Sequence, residues 1–291
     1  RTPAGKTGHS LLGHTVEHRA NLDSSDGTHE ASFVYGELLP EGVSKALGRL
    51  LGSQGVSACL RSPGNASADM GTLSSGDHAL LLELGMGTGM VAAQAFLQCP
   101  SLQRVIGVEL SAARCVAAAT AGRRLVTTEP DRFVVVTTDG EDNGTDEEAA
   151  GGTLLRRRCH IMETHTSREL EFFEGDLALL APELVREACA IFLQVVLPEA
   201  ARVRAHALLQ HAKDGCKAFL LEDLRLTWSQ EAPSIFHPVE VEGGSENDGD
   251  RYATSWAPGG NRFYIFIADR TRHPSISRTS ALRLAEEEAA A

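Results

Sequence analysis

The sequence predicts an α/β sandwich, with helices on both faces of a mostly parallel sheet that ends in an antiparallel pair. Three observations predict it. Ala79-Leu80-Leu81-Leu82 runs without charge up to Glu83, as a parallel strand buried on both faces does. Glycines at alternate positions, Gly85, Gly87 and Gly89, lead into a small-residue helical run, Met90 to Gln98, and then into a second apolar run, Val105 to Val108, ending in Glu109. That is one βαβ unit with an acid at the end of each strand, where open α/β sheets place their ligands. Finally, strand-like and helix-like stretches alternate down the chain until two β-prone runs flank Pro258-Gly259-Gly260.

Taken in order, residues 1–31 are polar, without sustained period, and are expected to be flexible. Residues 32–78 form an N-terminal helical segment. In it Val43, Leu47, Leu50 and Leu51 fall at helical spacing between Pro40 and Leu51, and a Ser/Gly/Asn-rich loop follows. Residues 79–270 carry the main domain. After Glu109, Ser111 is the expected cap of an alanine-rich helix reaching about Arg124. Residues 125–168 read as an insertion. It holds the β-prone Phe133-Val134-Val135-Val136, an arginine triplet Arg156-Arg157-Arg158 expected as a solvated charge run, and His160 and His165, expected at the surface.

Glu169 to Phe173 alternates as a strand does and runs into Glu174-Gly175-Asp176. A short helix over Pro182 to Ala188 precedes an apolar strand, Cys189 to Val196, in which Gln194 is the one fully polar residue. An amphipathic helix, Glu199 to Lys213, leads to the strand Lys217 to Leu221 and to Glu222-Asp223. Arg251 to Trp256 and Arg262 to Ala268 read as a closing hairpin, strands six and seven of the sheet. Residues 271–291 read as a helical tail.

Composition narrows the function classes. The 291 residues are 42% hydrophobic and 23% charged, ordinary for a globular protein, and no apolar run is long enough to span a bilayer. The net charge of −12 is concentrated. Asp139 to Glu148 and Glu240 to Asp250 together hold eleven acids and no base, which leaves the rest of the chain close to neutral. Such a balance argues against DNA binding as the main activity and suits approach to a basic protein. The six cysteines stand singly and the 11 histidines show no metal spacing, so buried reduced thiols and no metal site are expected.

The glycine segment carries the chemistry. Alternate glycines let the chain turn sharply and bring backbone N–H groups against a ligand that side chains would block. Taken alone, such a cluster is also compatible with an ordinary tight turn. Glu109, 20 residues past Gly89, can accept two hydrogen bonds from a ribose diol. The spacing is G-x-G-x-G rather than G-x-G-x-x-G, and Glu83 beside it would repel a pyrophosphate while suiting a cationic ligand. S-adenosylmethionine combines an amino group, a sulfonium and a ribose. The pattern resembles the first two motifs of class I methyltransferases, the seven-stranded Rossmann-like sandwich. On that reading Asp176 accepts from the adenine amino group.

Two remote segments sharpen the resemblance. Val34-Tyr35-Gly36-Glu37 lies upstream; Ser255-Trp256, then Phe263-Tyr264 and Asp269-Arg270, lie downstream. Together with the glycine motif they resemble the disruptor-of-telomeric-silencing family, the histone H3 lysine methyltransferases without a SET domain. The resemblance spans Phe33 to Arg270, apart from the insertion. It implies a nuclear, monomeric histone-lysine methyltransferase, a chromatin regulator that takes its methyl group from S-adenosylmethionine and acts on the globular core of histone H3 in nucleosomes. It assigns Tyr35, Gly36 and Glu37 to a loop over the cofactor's methionine end, and Glu83, Gly85, Gly87 and Gly89 to the cofactor loop. Glu109 takes the ribose and Asp176 the adenine. Tyr35, Gln194, Trp256, Phe263 and Tyr264 fall to the catalytic side, with Trp256 and Phe263 walling a lysine channel. The chain departs from the family at Glu83, Met90, Leu177 and Gln194, and lacks its basic extension. A different class I methyltransferase, or a protein that binds the cofactor without transferring the methyl, shares the glycine motif.

Overall fold

The computed structural model describes residues 37–52, 79–137, 155–228, 234–239, 250–255, 257 and 259–272. Tyr35, Gly36, Trp256, most of both acidic stretches, the N-terminal segment and the tail lie outside the described residues. Among the described residues the fold is a class I, Rossmann-like α/β sandwich, built on a mixed sheet of ten strands. The strands are β1 (Leu80–Leu84), β2 (Arg104–Glu109), β3 (Phe133–Thr137), β4 (Arg156–Glu163), β5 (Glu169–Glu174), β6 (Ala188–Leu193), β7 (Lys217–Leu220), β8 (Phe236–Pro238), β9 (Asp250–Tyr252) and β10 (Asn261–Ala268). The helices are α1 (Pro40–Leu51), α2 (Met90–Gln98), α3 (Ala112–Thr128), α4 (Pro182–Glu187), α5 (Glu199–Leu209) and α6 (Leu224–Thr227).

The sheet runs β3-β4-β5-β2-β1-β6-β7-β10-β8, with β9 attached to β10. Its middle, β5-β2-β1-β6-β7, is parallel; β10 is antiparallel to β7 and to β8. All five residues of the central β1 are buried, and period two divides them between the faces. Leu80, Leu82 and Leu84 pack with Ile106, Val108 and Ile191, while Leu81 packs on the other face with Val91, Ala95, Phe96 and Val105. Burying each such side chain contributes about 1.5–3 kcal/mol, so this strand anchors the fold.

The structure revises four expectations. The closing strands are not one hairpin. Arg251-Tyr252 does pair with β10, but only with its first three residues, while the outer position beside β10 belongs to Phe236–Pro238. A three-residue strand ending in proline has too little periodic pattern to be read from sequence. The 125–168 stretch takes part in the main sheet. α3 continues to Thr128, and β3 and β4 extend the main sheet from the edge of β5.

Of the arginine triplet, Arg156 is exposed, whereas Arg157 and Arg158 are drawn into ion pairs on the sheet. Arg157 Nε lies 3.2 Å from Glu171 and Arg158 pairs with Glu174. His160 is buried on β4 directly opposite Glu171, while His165 is exposed as expected. The last revision concerns Ser111. It stands at the N-cap of α3 but its hydroxyl makes no cap bond; its N–H instead donates to Glu109 Oε1 at 2.9 Å. Among the described residues the cysteines form no disulfide, and Cys99, Cys115, Cys159 and Cys216 are buried.

Candidate functional site

Gly85, Gly87 and Gly89 all adopt left-handed backbone (φ 73°, 58° and 76°), which turns the chain from β1 into α2 within five residues. A Cβ at Gly85 would lie 2.7 Å from Val195, and one at Gly89 would meet Ala118 and Phe172 at 3.0–3.1 Å. The loop is therefore closed to side chains from below and presents bare backbone at the carboxyl edge of the sheet.

Two acids are tied to this loop. Glu83 is 1% exposed. Its Oε2 accepts from Ala92 N–H at 2.8 Å, in the first turn of α2, and its Oε1 accepts from Gln194 Nε2 at 3.1 Å. A carboxylate suits the positive end of a helix. Burial nonetheless pushes the Glu83 carboxyl well above its ordinary value, with Glu37 and Glu109 adding repulsion and the Ala92 and Gln194 bonds opposing it. Glu109 Oε2 accepts from Gly87 N–H at 2.9 Å, and Arg114 Nη1 lies 3.5 Å from its Oε1.

A third acid arrives from far away in sequence. Thr88, in the loop itself, donates its hydroxyl hydrogen to Glu37. Glu37 N–H donates to Ser255 Oγ at 3.1 Å, Ser255 N–H donates to the Glu37 carbonyl at 2.8 Å, and Leu38 bridges to Thr254. Segments 218 residues apart thus form a short antiparallel strap on the glycine loop.

On the other side, Asp176 follows β5. Its Oδ1 accepts from Ala178 N–H at 2.9 Å, and its Oδ2 lies 3.2 Å from Arg204. Gln194 stands at the tip of β6 and reaches Glu83. The structure thus brings together Glu37, Glu83, Gly85, Gly87, Gly89, Glu109 and Gln194, with Asp176 on the neighbouring strand tip.

Phe263 and Tyr264 are placed differently from one another. Adjacent residues of a strand face opposite ways. Phe263 is 1% exposed, stacked on Phe219 with centroids 4.7 Å apart and set edge-on to Tyr252 at 5.7 Å. Tyr264 packs with the cluster on the far face of the sheet. Phe263 thus packs in the core, while its expected channel partner Trp256 lies outside the described residues. Sequence reading missed Thr88, whose partner Glu37 is remote, and Leu110. Leu110 follows Glu109 directly and is 72% exposed at the carboxyl edge. An apolar residue just past a strand-tip acid was the available signal.

The fold is of the class I, Rossmann-like kind: an open α/β sheet with a glycine loop and acids near successive strand tips. No protein-family model matches the sequence, and no curated protein does. Solved structures of similar course include an RNA methyltransferase from Salinibacter ruber in complex with S-adenosyl-L-homocysteine. It is 14% identical over 69% of this chain and 88% of that one, with a TM-score of 0.36. Sp1610 of Streptococcus pneumoniae, named as a candidate tRNA (m1A22) methyltransferase, is 9% identical over 74% of each chain, with a TM-score of 0.36. These likenesses are loose, of chain course rather than of residues.

Proposed function

We propose that this chain binds S-adenosylmethionine and transfers its methyl group to a lysine in the globular core of nucleosomal histone H3, acting as a monomer in the nucleus. One observation carries the reading. The Val34–Glu37 and Ser255-Trp256 motifs, whose spacing suggested the silencing-disruptor family, meet through Glu37 and Ser255, and Glu37 is held on the glycine loop by Thr88.

The residues present fit the cofactor. Glu37, Glu83 and Glu109 bring three acids to one bare turn, with Arg114 set against Glu109 Oε1 at 3.5 Å. Burial above all raises Glu83, and a cation arriving there offsets the added repulsion from Glu37 and Glu109. Glu109 keeps lone pairs free beyond its bonds to Gly87 and Ser111, enough for ribose hydroxyls. Leu110 offers an exposed apolar face beside it for a purine ring. When bound, S-adenosylmethionine supplies an electrophilic methyl on a sulfonium. The protein's own part is to hold the loop, exclude water and align the acceptor nitrogen, which is proximity and orientation rather than covalent chemistry. The near-neutral body with its acidic stretches suits a basic protein substrate better than nucleic acid.

The test uses isotope-labelled methyl donor with recombinant nucleosomes, free histone H3, RNA and small amines side by side. Label on nucleosomal H3 lysine above all others is expected. Label on RNA or on a small amine instead rejects the chromatin reading while keeping the methyl donor. Absence of donor binding by calorimetry rejects both.

A further inference from the structure

A carboxylate that no motif singled out stands beside the candidate site. β6 and β7 stay paired to their tips, where Leu221 N–H donates to the Leu193 carbonyl at 3.1 Å. Gln194 directly follows β6 and Glu222 stands two residues past β7, so both sit at the carboxyl edge of adjacent strands. Below Glu222 lies a small cavity lined by Leu193, Val195, Leu197, Leu220, Arg202 and Glu222 itself, with His206 and Leu224 completing it. Val195 lines this cavity and also packs against Gly85, so one valine separates the cavity from the glycine loop.

The polar groups there are incompletely matched. Arg202 Nη2 lies 3.4 Å from Glu222 Oε1, while the buried Arg202 Nε has no hydrogen-bond partner among the described residues. An orphaned guanidinium N–H beside a carboxylate in an otherwise apolar cavity calls for a group that both accepts and donates, which a water or the acceptor's own N–H-bearing group is. The Glu222 side chain remains 19% exposed, so the cavity is reachable from the edge where an acceptor must enter.

We infer that Glu222 is the proton acceptor for the transfer, with Arg202 as its positioning residue. The inference rests on the methyltransferase reading above. A lysine acceptor arrives as an ammonium and must first give up a proton to free its lone pair; that lone pair then forms the N–C bond as the C–S bond breaks with its electron pair left on sulfur. Glu222 takes that proton, directly or through a water held by Arg202 Nε.

The surroundings support the role. Burial raises the Glu222 carboxyl above its ordinary value, against the lowering pull of Arg202 and of the Leu197 backbone N–H. A carboxylate so raised is a stronger base. Of the other ionisable groups nearby, His206 is pushed down to about 4 by burial and by Arg202, so it is neutral at physiological pH, and it stacks on Trp228. Asp223 is occupied by Arg225 at 2.7 Å.

The experiment titrates the Glu222 carboxyl by carbon-13 NMR in the protein without cofactor. In parallel it measures donor binding by calorimetry and the pH profile of transfer for wild type, Glu222→Gln, Glu222→Asp and Arg202→Met. Glu222→Gln keeps an acceptor oxygen for Leu197 N–H and Arg202, so the tether to α5 survives. The expected results are an unchanged donor Kd, a roughly 100-fold lower transfer rate without an acidic limb in its pH profile, and partial recovery in Glu222→Asp. In Arg202→Met the NMR titration and the acidic limb both move to higher pH, since a lowering charge is gone. A Glu222→Gln enzyme with the wild-type rate and limb overturns the inference, as does one that loses donor binding. So does a Glu222 titration that ignores Arg202. If wild type binds no donor at all, it is the methyltransferase reading that fails, and the inference falls with it.

Discussion

A carboxylate on the innermost strand of a sheet is an expensive residue to keep, and Glu83 shows what it is kept for. Its two bonds, from Ala92 N–H and Gln194, satisfy it only in part, because Glu37 and Glu109 push its carboxyl further up. A raised carboxyl favours the folded state while protonated. Its contribution is fully present below the ordinary value near 4.5 and is lost as pH climbs through the folded-state value. Glu83→Gln should therefore make the cofactor-free protein more stable at neutral pH and flatten the fall of Tm from acid to neutral. It should also weaken S-adenosylmethionine binding at least tenfold, because the acid that braces the glycine loop and α2 is gone; scanning calorimetry with and without donor reads both. Gly85→Ala should cost about 2 kcal/mol in urea unfolding, because left-handed backbone penalises a Cβ by roughly 1–2 kcal/mol and Val195 already fills the space. Gly87→Arg should abolish donor binding in a protein whose circular dichroism is unchanged; retained affinity would place the site elsewhere.

Among elements, what could be read ahead of the structure follows from how local each cause is. α1 and α2 were legible to their ends because Pro40, Gly52 and the alternating glycines punctuate them. β1, β2, β5 and β7 were legible as bounded apolar or alternating runs. The burial of His160 was not, since it depends on Glu171 across the ladder, and the place of β8 depends on β10 alone. The opposite facing of Phe263 and Tyr264 follows from period two alone. Arg168 is the plainest case of a cause invisible in sequence. It follows the tight β4–β5 turn, is buried, and donates to the carbonyls of Leu102 (2.7 Å), Cys99 (3.0 Å) and Phe96 while pairing with Glu163 at 3.2 Å. One guanidinium thereby closes the C-terminal end of α2 and fastens the β4–β5 edge to it. Arg168→Ala leaves those carbonyls and Glu163 unmatched, and about 3–5 kcal/mol should be lost in urea unfolding. A loss under 1 kcal/mol would mean that water replaces the guanidinium without penalty.

Over the whole molecule, the chain carries its two outlying motifs to one loop at the sheet's centre. Glu37 and Leu38 pair with Thr254 and Ser255, α1 lies along α2 through Ser44, Gln94 and Gln98, and Lys45 Nζ reaches the Arg251 carbonyl at 2.8 Å. This strap touches the glycine loop through the Thr88–Glu37 bond, so a ligand that orders the loop must order both of its remote partners. At a donor concentration of 100 Kd the folded state gains about 2.7 kcal/mol. Hydrogen exchange should show where that gain is felt. Slowed exchange is expected in three separate stretches at once, 37–39, 85–92 and 253–255, with the β3–β4 edge unchanged. Ser255→Ala removes the hydroxyl that accepts from Glu37 N–H; it should abolish the added protection in 37–39 while leaving that in 85–92. Protection confined to 85–109 in the wild type would show that the strap is packing alone, and the kinship drawn from Val34–Glu37 and Ser255-Trp256 would lose its physical basis.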